Sequence, residues 1–491
     1  MIFDNAGRQL AEAGHAWTYG APPDIAPWGR EFDADHFWSL LCKATREAMH
    51  TADVSPERIA AVATTGQRLA TVFLDAAGRE LYAAPNLDLR AVLEGTRLLN
   101  EYGPRIHAVT GHLPPFLFAS ARWLWFAAHH PEVCEQTRAV LAINDWLAFR
   151  LSGEISGEPT NAAESGLFDV CARDWSDEMC QMAGLRVRDC PPLHRAGEVI
   201  GRVTARAAEQ TGLAVGTPVV VAGADTSCGL LGMGVIQPGE CGVVAGWSAP
   251  AQIVTTGPVF DPQAALWTSC HLLPERWILE GNTGPAGSAH RWACNMLFGD
   301  ADPLKGTGSW GAFDALAAGA PAGAGGALGF LGARIADYND PRLLWGGWLM
   351  PLAGPLDGVG RAELARATYE NVAFAVKANL ERVGTLAPMS GPVRLGGGLA
   401  RSQLLPQILA DVLGRPVEAH PGHSVSALGA AMCAAAGVNF EGDVARAASA
   451  MLRVESAQWL EPRRKAQAEY LDAFERWTRA YTGLAQLSEQ L

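Results

Sequence analysis

The chain has 491 residues, 49% of them hydrophobic and 18% charged, which excludes a disordered protein and gives length enough for two or three domains. Its 38 Lys and Arg stand against 51 Asp and Glu, a formal charge of −13. That balance argues against nucleic-acid and anionic-membrane partners, yet local loops can still hold a phosphorylated ligand.

Met1-Ile2-Phe3-Asp4-Asn5-Ala6-Gly7 lacks a basic region followed by an apolar core, so no signal peptide is read there. Asp4 to Gly7 reads as a hairpin turn whose first arm has only about three residues, against roughly 5–6 in an ordinary strand. Phe37, Trp38, Leu41, Ala44 and Ala48 fall at helical spacing and predict a helix over 32–52. A strand is expected at 59–63, and a strand entering a turn at 71–79. Ala119 to His130 reads as a Trp-bearing helix closed by Pro131, and Val140 to Leu151 continues the helical pattern to Gly153.

Val219-Val220-Val221-Ala222 is an apolar run that stops at Gly223 and then presents the carboxylate of Asp225. Such a run reads as a buried, parallel strand, and in open α/β sheets ligands bind beyond the carboxyl ends of such strands. Taken alone, this window favours reading Asp225, or Thr226 beside it, as a cap of the next helix. Gly242 to Gly246 looks like a hairpin, Arg361 to Val383 a long helix, and Pro392 to Leu395 a short strand. That strand runs into Gly396, Gly397 and Gly398, then Ser402 and a helical stretch to Leu413. Glycines at a strand end clear space for a flat ligand, and a helix N-terminus favours anionic oxygens, so nucleotide binding stands level with a tight strand–helix turn. Arg415 to Ala419 reads as a strand, Ser424 to Ala436 as an Ala-rich helix, and Arg463 to Leu487 as a helix whose Tyr470, Phe474, Trp477 and Tyr481 form a packing stripe. The longest apolar run, Ala427 to Val438, falls short of the ~20 residues that span a bilayer. Ten scattered cysteines without Cys-x-x-Cys spacing read as reduced thiols of a cytoplasmic protein.

Taken together, Gly66-Gln67, Asp88-x-Arg90, Asp145-Trp146-Leu147, Gly166-Leu167-Phe168-Asp169, Gly223-Ala224-Asp225, Gly396 to Ser402 and Ala427-Leu428-Gly429-Ala430-Ala431 follow an order that resembles the FGGY family of carbohydrate kinases over nearly the whole chain. The resemblance implies an α/β fold of two actin/hexokinase-like (ribonuclease H-like) ATPase domains around a cleft. It divides the chain into an N-terminal sugar-binding domain over 1–222, a C-terminal nucleotide-binding domain over 223–440 and a helical tail over 441–491. It implies ATP and Mg²⁺ as cofactors and a small sugar or polyol as substrate, with a homodimer as an assembly open to the chain. By position, Asp225 corresponds to the general base and, indirectly, to a metal contact. Gln67, Arg68, Asn86, Asp88 and Arg90 correspond to the sugar side, and Gly246, Ser248, Gly396, Gly397, Gly398 and Ser402 to the ATP side.

Pentulose-specific members carry Met-His where this chain has Arg68-Leu69 and Trp where it has Asn86, so the substrate loop looks more like the autoinducer-2 kinase branch, with xylulose or another pentulose as the alternative. Two departures stand out. The family opens with a strand ending in an Asp-x-Gly-Thr phosphate and Mg²⁺ loop that this chain lacks, so its first domain is expected to be without its N-terminal strand. Trp247 stands where a small residue is expected beside the phosphates. A catalytically impaired sugar- or nucleotide-binding relative is therefore the alternative to an active kinase.

Overall fold

The computed structural model describes residues 1–23, 25, 27–299, 308–340, 345–352, 358–421, 424–440, 442–452 and 457–490. Parts of the tail expected over 441–491 lie outside them. In chain order, the elements that position the site begin with β1 (Ile2–Phe3), β2 (Gln9–Ala11), α1 (Ala34–Ala52), β3 (Val62–Ala63), β4 (Thr71–Asp75) and β5 (Glu80–Ala84). They continue with β6 (Thr137–Ala142), α2 (Ile143–Ser152), β7 (Val199–Arg202), β8 (Pro218–Val220) and α3 (Asp225–Gly232). Next come β9 (Cys241–Val244), β10 (Ser248–Thr255), α4 (Gly287–Phe298), α5 (Arg361–Gly384), β11 (Val393–Gly396) and α6 (Leu405–Leu413). The last are β12 (Val417–Ala419), α7 (Val425–Asn439), β13 (Gln458–Leu460) and α8 (Arg464–Ser488).

The chain divides into two compact units: Met1–Ile236 with Thr256–Ile278 and Val425–Arg453, and Gln237–Thr255 with Leu279–Ser424 and Val454–Leu491. In the first unit β8 lies between β3, parallel with Val219 opposite Val62, and β7, antiparallel with Val219 opposite Gly201. A second sheet runs β5-β4-β6, with Phe73 of β4 opposite Tyr82 and Val140. Successive side chains of a strand point to opposite faces. Accordingly Val72 and Leu74 join a core with Trp38, Leu141 and Trp146, while Phe73 joins one with Tyr82, Trp123 and Phe126. β4 is buried throughout because both of its faces are covered. Asp33 starts α1 by accepting a hydrogen bond from His36 N at 2.8 Å, and the left-handed Asp53 ends it.

Two expectations are corrected here. Residues 140–142 extend β6 and the helix begins only at Ile143, because Val140 and Leu141 complete the ladder beside β4. The strand expected at 59–63 keeps only Val62–Ala63, the residues paired with β8.

In the second unit β9 pairs antiparallel with β10, Gly242 opposite Gln252, and parallel with β11, Val243 opposite Leu395. β12 follows in parallel beside β11, and β13 closes the edge in antiparallel. The aromatic stripe of α8 packs as expected: Tyr470 and Trp477 are buried, the Trp477 ring stacks on Phe330 with centroids 5.8 Å apart, and its indole N–H donates to Gly329 O. Among the described residues, no helix is long and apolar enough to cross a membrane.

Candidate functional site

Asp225 is the first residue of α3 and the one partly exposed residue in the otherwise buried stretch from Val219 to Val235. Its N–H donates to Gly66 O at 3.1 Å, which ties the Gly66-Gln67 loop to the end of β8. Its Oδ1 accepts from Thr226 N at 2.8 Å, and a negative group at a helix N-terminus is favoured by the helix dipole. The helix cap itself is Ala224, which makes no side-chain cap, so the simple capping role does not describe Asp225. The turn leading to it is pinned from three sides. Thr65 Oγ1 donates to Gly223 O at 2.8 Å, Ala224 N donates to Thr160 Oγ1 at 3.0 Å, and Asn144 Nδ2 donates to Ala222 O at 3.3 Å. A Cβ on Gly223 would stand 2.4 Å from Thr160 Oγ1 and 2.7 Å from Glu158 Oε2, so the close approach requires glycine.

Beneath this turn lie two buried carboxylates, Glu158 and Asp145, and only the second belonged to a motif singled out in the sequence. Glu158 is buried and accepts from Thr160 N at 2.7 Å and from the Thr160 hydroxyl. Burial pushes its carboxyl up to about 7 in spite of those hydrogen bonds. Asp145 is buried nearby and is raised well above the usual carboxylate range, first by burial and then by the charge of Glu158. Asp145 stood among the family-like residues, but only folding shows that it shares its surroundings with Glu158.

The sugar-side residues separate into two groups. Arg68 Nη1 bonds Glu164 Oε1 at 2.8 Å, both side chains being almost wholly buried, and its guanidinium lies 5.5 Å from the Trp267 ring centroid. Gln67 Nε2 and Asn161 Nδ2 are enclosed without a hydrogen-bond partner among the described residues. Buried amide groups of that kind call for a partner. Asn86 is partly exposed.

Asp88 and Arg90 form a closed node, which Arg122 links to the loop after Gln67: it lies 3.9 Å from Asp88 Oδ2 and donates to Leu69 O at 2.6 Å. Asp88 accepts from Arg30 N at 2.9 Å, from Arg90 Nε at 2.7 Å and from the Tyr82 hydroxyl. Arg90 also bonds Glu31 at 2.6 Å and lies over the Tyr82, Trp125 and Phe126 rings. With their side chains 0% and 2% exposed, these two hold the loop together.

In the second unit the glycine loops meet at the carboxyl ends of the parallel strands β9 and β11. Ala245 N donates to Gly396 O at 2.7 Å, and Leu399 N donates to Ala245 O at 3.0 Å. Gly397 has φ +91°, and a Cβ there would lie 2.6 Å from Ala245 O. A Cβ on Gly246 or Gly398 would meet nothing within 4 Å, so these two present open backbone. Trp247 O accepts from Ala286 N and Gly287 N at the start of α4, while its side chain stays 53% exposed. Ser248 opens β10. Ser402 Oγ accepts from Leu404 N and Leu405 N and donates to Asp314 Oδ1 at 2.8 Å, so it ties the approach to α6 to Asp314, a residue no sequence signal singled out.

Known proteins match this architecture. The family model for the N-terminal domain of the FGGY family of carbohydrate kinases covers residues 1–232, and the model for its C-terminal domain covers residues 242–438. The autoinducer-2 kinase of Escherichia coli (strain K12) is 31% identical over 496 residues, spanning 98% of this chain and 91% of its own length. That of Yersinia enterocolitica serotype O:8 / biotype 1B is also 31% identical, over 98% of this chain and 92% of its own. Among solved structures, a xylulose kinase from Rhodospirillum rubrum superposes with TM-score 0.79 at 27% identity, over 97% of this chain and 94% of that one. A xyloylose kinase from Brucella ovis reaches TM-score 0.82 at 24% identity, over 99% and 96%, and speaks for the fold alone.

Proposed function

Because the chain belongs to the FGGY family of carbohydrate kinases, an ATP-dependent phosphotransferase family with small sugar substrates, we propose that its acceptor is an autoinducer-2-like polyol and that Asp225 is the general base. The observation that carries the reading is the placement of Asp225: a partly exposed carboxylate in a buried run, at a strand's carboxyl end and a helix N-terminus. A sugar hydroxyl is a poor nucleophile at neutral pH. An oriented carboxylate takes its proton as the hydroxyl oxygen bonds to the γ-phosphorus and the bond to the ADP leaving oxygen breaks. Gln67, Arg68, Asn86 and Asn161 would offer donors and acceptors to the sugar. The open backbone at Gly246 and Gly398 suits ATP, with Ser248 and the start of α6 beside those loops.

Among the described residues no group of three or more His, Cys, Asp or Glu converges on a metal site. Mg²⁺ carried on nucleotide phosphates needs only one or two protein carboxylates, and Asp225 is the carboxylate that would hold it. When bound, that ion neutralises phosphate charge. None of the ten cysteines forms a disulfide, which suits the cytoplasm.

The test is ATP consumption over a panel holding autoinducer-2, xylulose and other small sugars, with Asp225→Asn as control. Turnover of autoinducer-2 that falls about 10²–10⁴-fold in the variant is expected. Turnover indifferent to the substitution removes Asp225 from the reaction. A preference for xylulose moves the substrate to the pentuloses. Binding of sugar and ATP without turnover assigns the chain to the catalytically impaired relatives.

A further inference from the structure

Arg68 and Glu164 form an ion pair within the first unit, Nη1 to Oε1 2.8 Å, their side chains 10% and 4% exposed. The guanidinium lies 5.5 Å from the Trp267 ring centroid, and the indole N–H fixes that ring by donating to Leu113 O at 2.6 Å. Glu164 is carried by a 3₁₀ turn, Ala163–Ser165, that directly follows the short helix Pro159–Ala162. Gln67 and Asn161, whose enclosed amide N–H groups have no partner among the described residues, adjoin the ion pair in the chain, one residue before Arg68 and three before Glu164.

The charges of this region cancel. His112, with Nε2 2.9 Å from Ser269 Oγ, is pushed down to about 3, first by burial, and is uncharged at neutral pH. In the neighbouring node Arg90 and Arg122 face Asp88 and Glu31, two cations against two carboxylates. Each of the three guanidiniums thus already stands beside a carboxylate. A ligand carboxylate at Arg68 would bring a second negative charge beside Glu164 with little water to screen it, and like charges so placed are costly. A hydroxyl or carbonyl oxygen brings no charge, and its lone pairs satisfy the amide donors of Gln67 and Asn161.

We propose that Glu164 sets the charge of the acceptor: paired with Arg68, it admits uncharged polyols and rejects sugar acids. This rests on the reading of Gln67, Arg68 and Asn161 as the acceptor side. Glu164 acts through Arg68, as a positioning residue that holds the guanidinium beside Trp267 and cancels its charge. The discrimination comes from repulsion of a like charge and not from an added attraction. Without Glu164, the same guanidinium would be a buried cation in want of an anion, and a sugar carboxylate would serve.

Two probes of nearly equal shape, D-ribonamide and D-ribonate, differ by one charge, and their binding is read by isothermal titration calorimetry. The wild-type chain is expected to bind the amide at least about 10-fold more tightly. Glu164→Ala removes the carboxylate and makes room beside Arg68, so the order inverts, with a change of about 10²-fold in the ratio of affinities. Combining Arg68→Gln with Glu164→Ala removes both charges, and the two probes should then bind within about 3-fold of each other. A buried guanidinium stripped of its partner costs stability, so melting is recorded with and without each probe. Ribonate should raise the Tm of Glu164→Ala more than ribonamide does, and this difference should vanish in the double variant. A merely structural Glu164 would lower Tm without changing the order of the probes. An unchanged ratio in Glu164→Ala overturns the proposal, as do a preference for ribonate in the wild-type chain, a Glu164→Ala chain that ribonate fails to stabilise, and failure of both probes to bind. Calorimetry reads no turnover, so failure of Asp225 as the base, or a preference for xylulose over autoinducer-2, leaves these ratios standing.

Discussion

Glu158 shows how one buried carboxyl couples the turn under Asp225 to pH. Its carboxyl is raised from its ordinary 4.5 to about 7, with Asp145 and Arg173 as the charged groups that act on it or beside it. Below about pH 4.5 it is protonated in both folded and unfolded chains; between there and about 7 only the unfolded chain ionises. Its contribution is therefore complete in acid and is lost as pH rises through 7, at most about 3 kcal/mol. Asp145 is shifted in the same direction and adds to the same slope. The urea midpoint is expected to fall between pH 5 and 7.5 from this source, and Glu158→Gln to flatten that fall. A slope unchanged in the variant assigns it to other groups. Asp225 was legible because its cue is local, an apolar run ending at a glycine. Glu158 was not, since part of its enclosure comes from Gly223, in a distant stretch of chain. Asp88 and Arg90 were legible as a pair, but the aromatic rings that enclose Arg90 come from β5 and from residues 125–126, which no spacing rule connects.

At the scale of elements, glycine decides how closely backbones approach. α3 and α7 cross at contact: a Cβ on Gly429 would stand 1.8 Å from Cys228 O, and one on Gly232 would stand 2.0 Å from Val425 O. No rotamer relieves a collision with backbone, so Gly429→Ala must move the helices apart. A loss of about 3 kcal/mol is expected in denaturant melts, against less than ~0.5 kcal/mol for Gly14→Ala, where a Cβ meets nothing. The proposed nucleotide loop allows a sharper comparison. Gly398→Ala has room and should leave stability within ~0.5 kcal/mol while raising the KM for ATP, whereas Gly397→Ala sits at φ +91° against Ala245 and should lower Tm as well. An unchanged KM in Gly398→Ala would move the nucleotide away from this loop. The same scale explains which elements the sequence disclosed. α8 was legible because four aromatics repeat at helical spacing, and both of its largest buried rings sit in the core. β6 was misread over 140–142 because Val, Leu and Ala suit either periodicity, and its place beside β4 is a tertiary choice.

For the whole molecule, the important fact is that the first compact unit is assembled from three stretches of sequence. α7 lies almost two hundred residues beyond α3, yet Leu428, Met432 and Cys433 share a buried cluster with Ala222, Cys228 and Leu231, and Val444 and Met451 complete it. Nothing local announces this: Val425–Asn439 follows β12 as any strand–helix repeat would, so its long-range partner is invisible to periodicity. The consequence is quantitative. Burying Leu428, Met432, Val444 and Met451 is worth roughly 1.5–3 kcal/mol each, which together rivals the 5–15 kcal/mol that separates a folded domain from its unfolded chain. A fragment ending at residue 236 is therefore expected to lack a cooperative thermal transition, although it contains Asp225, Gln67 and Arg68. Joining residues 425–453 to that fragment through a flexible linker should restore protection of the α3 amides from hydrogen exchange, because the cluster can then close. If the fragment alone melts cooperatively with α3 protected, the stability of the turn that carries Asp225 comes from its own sheet and not from α7.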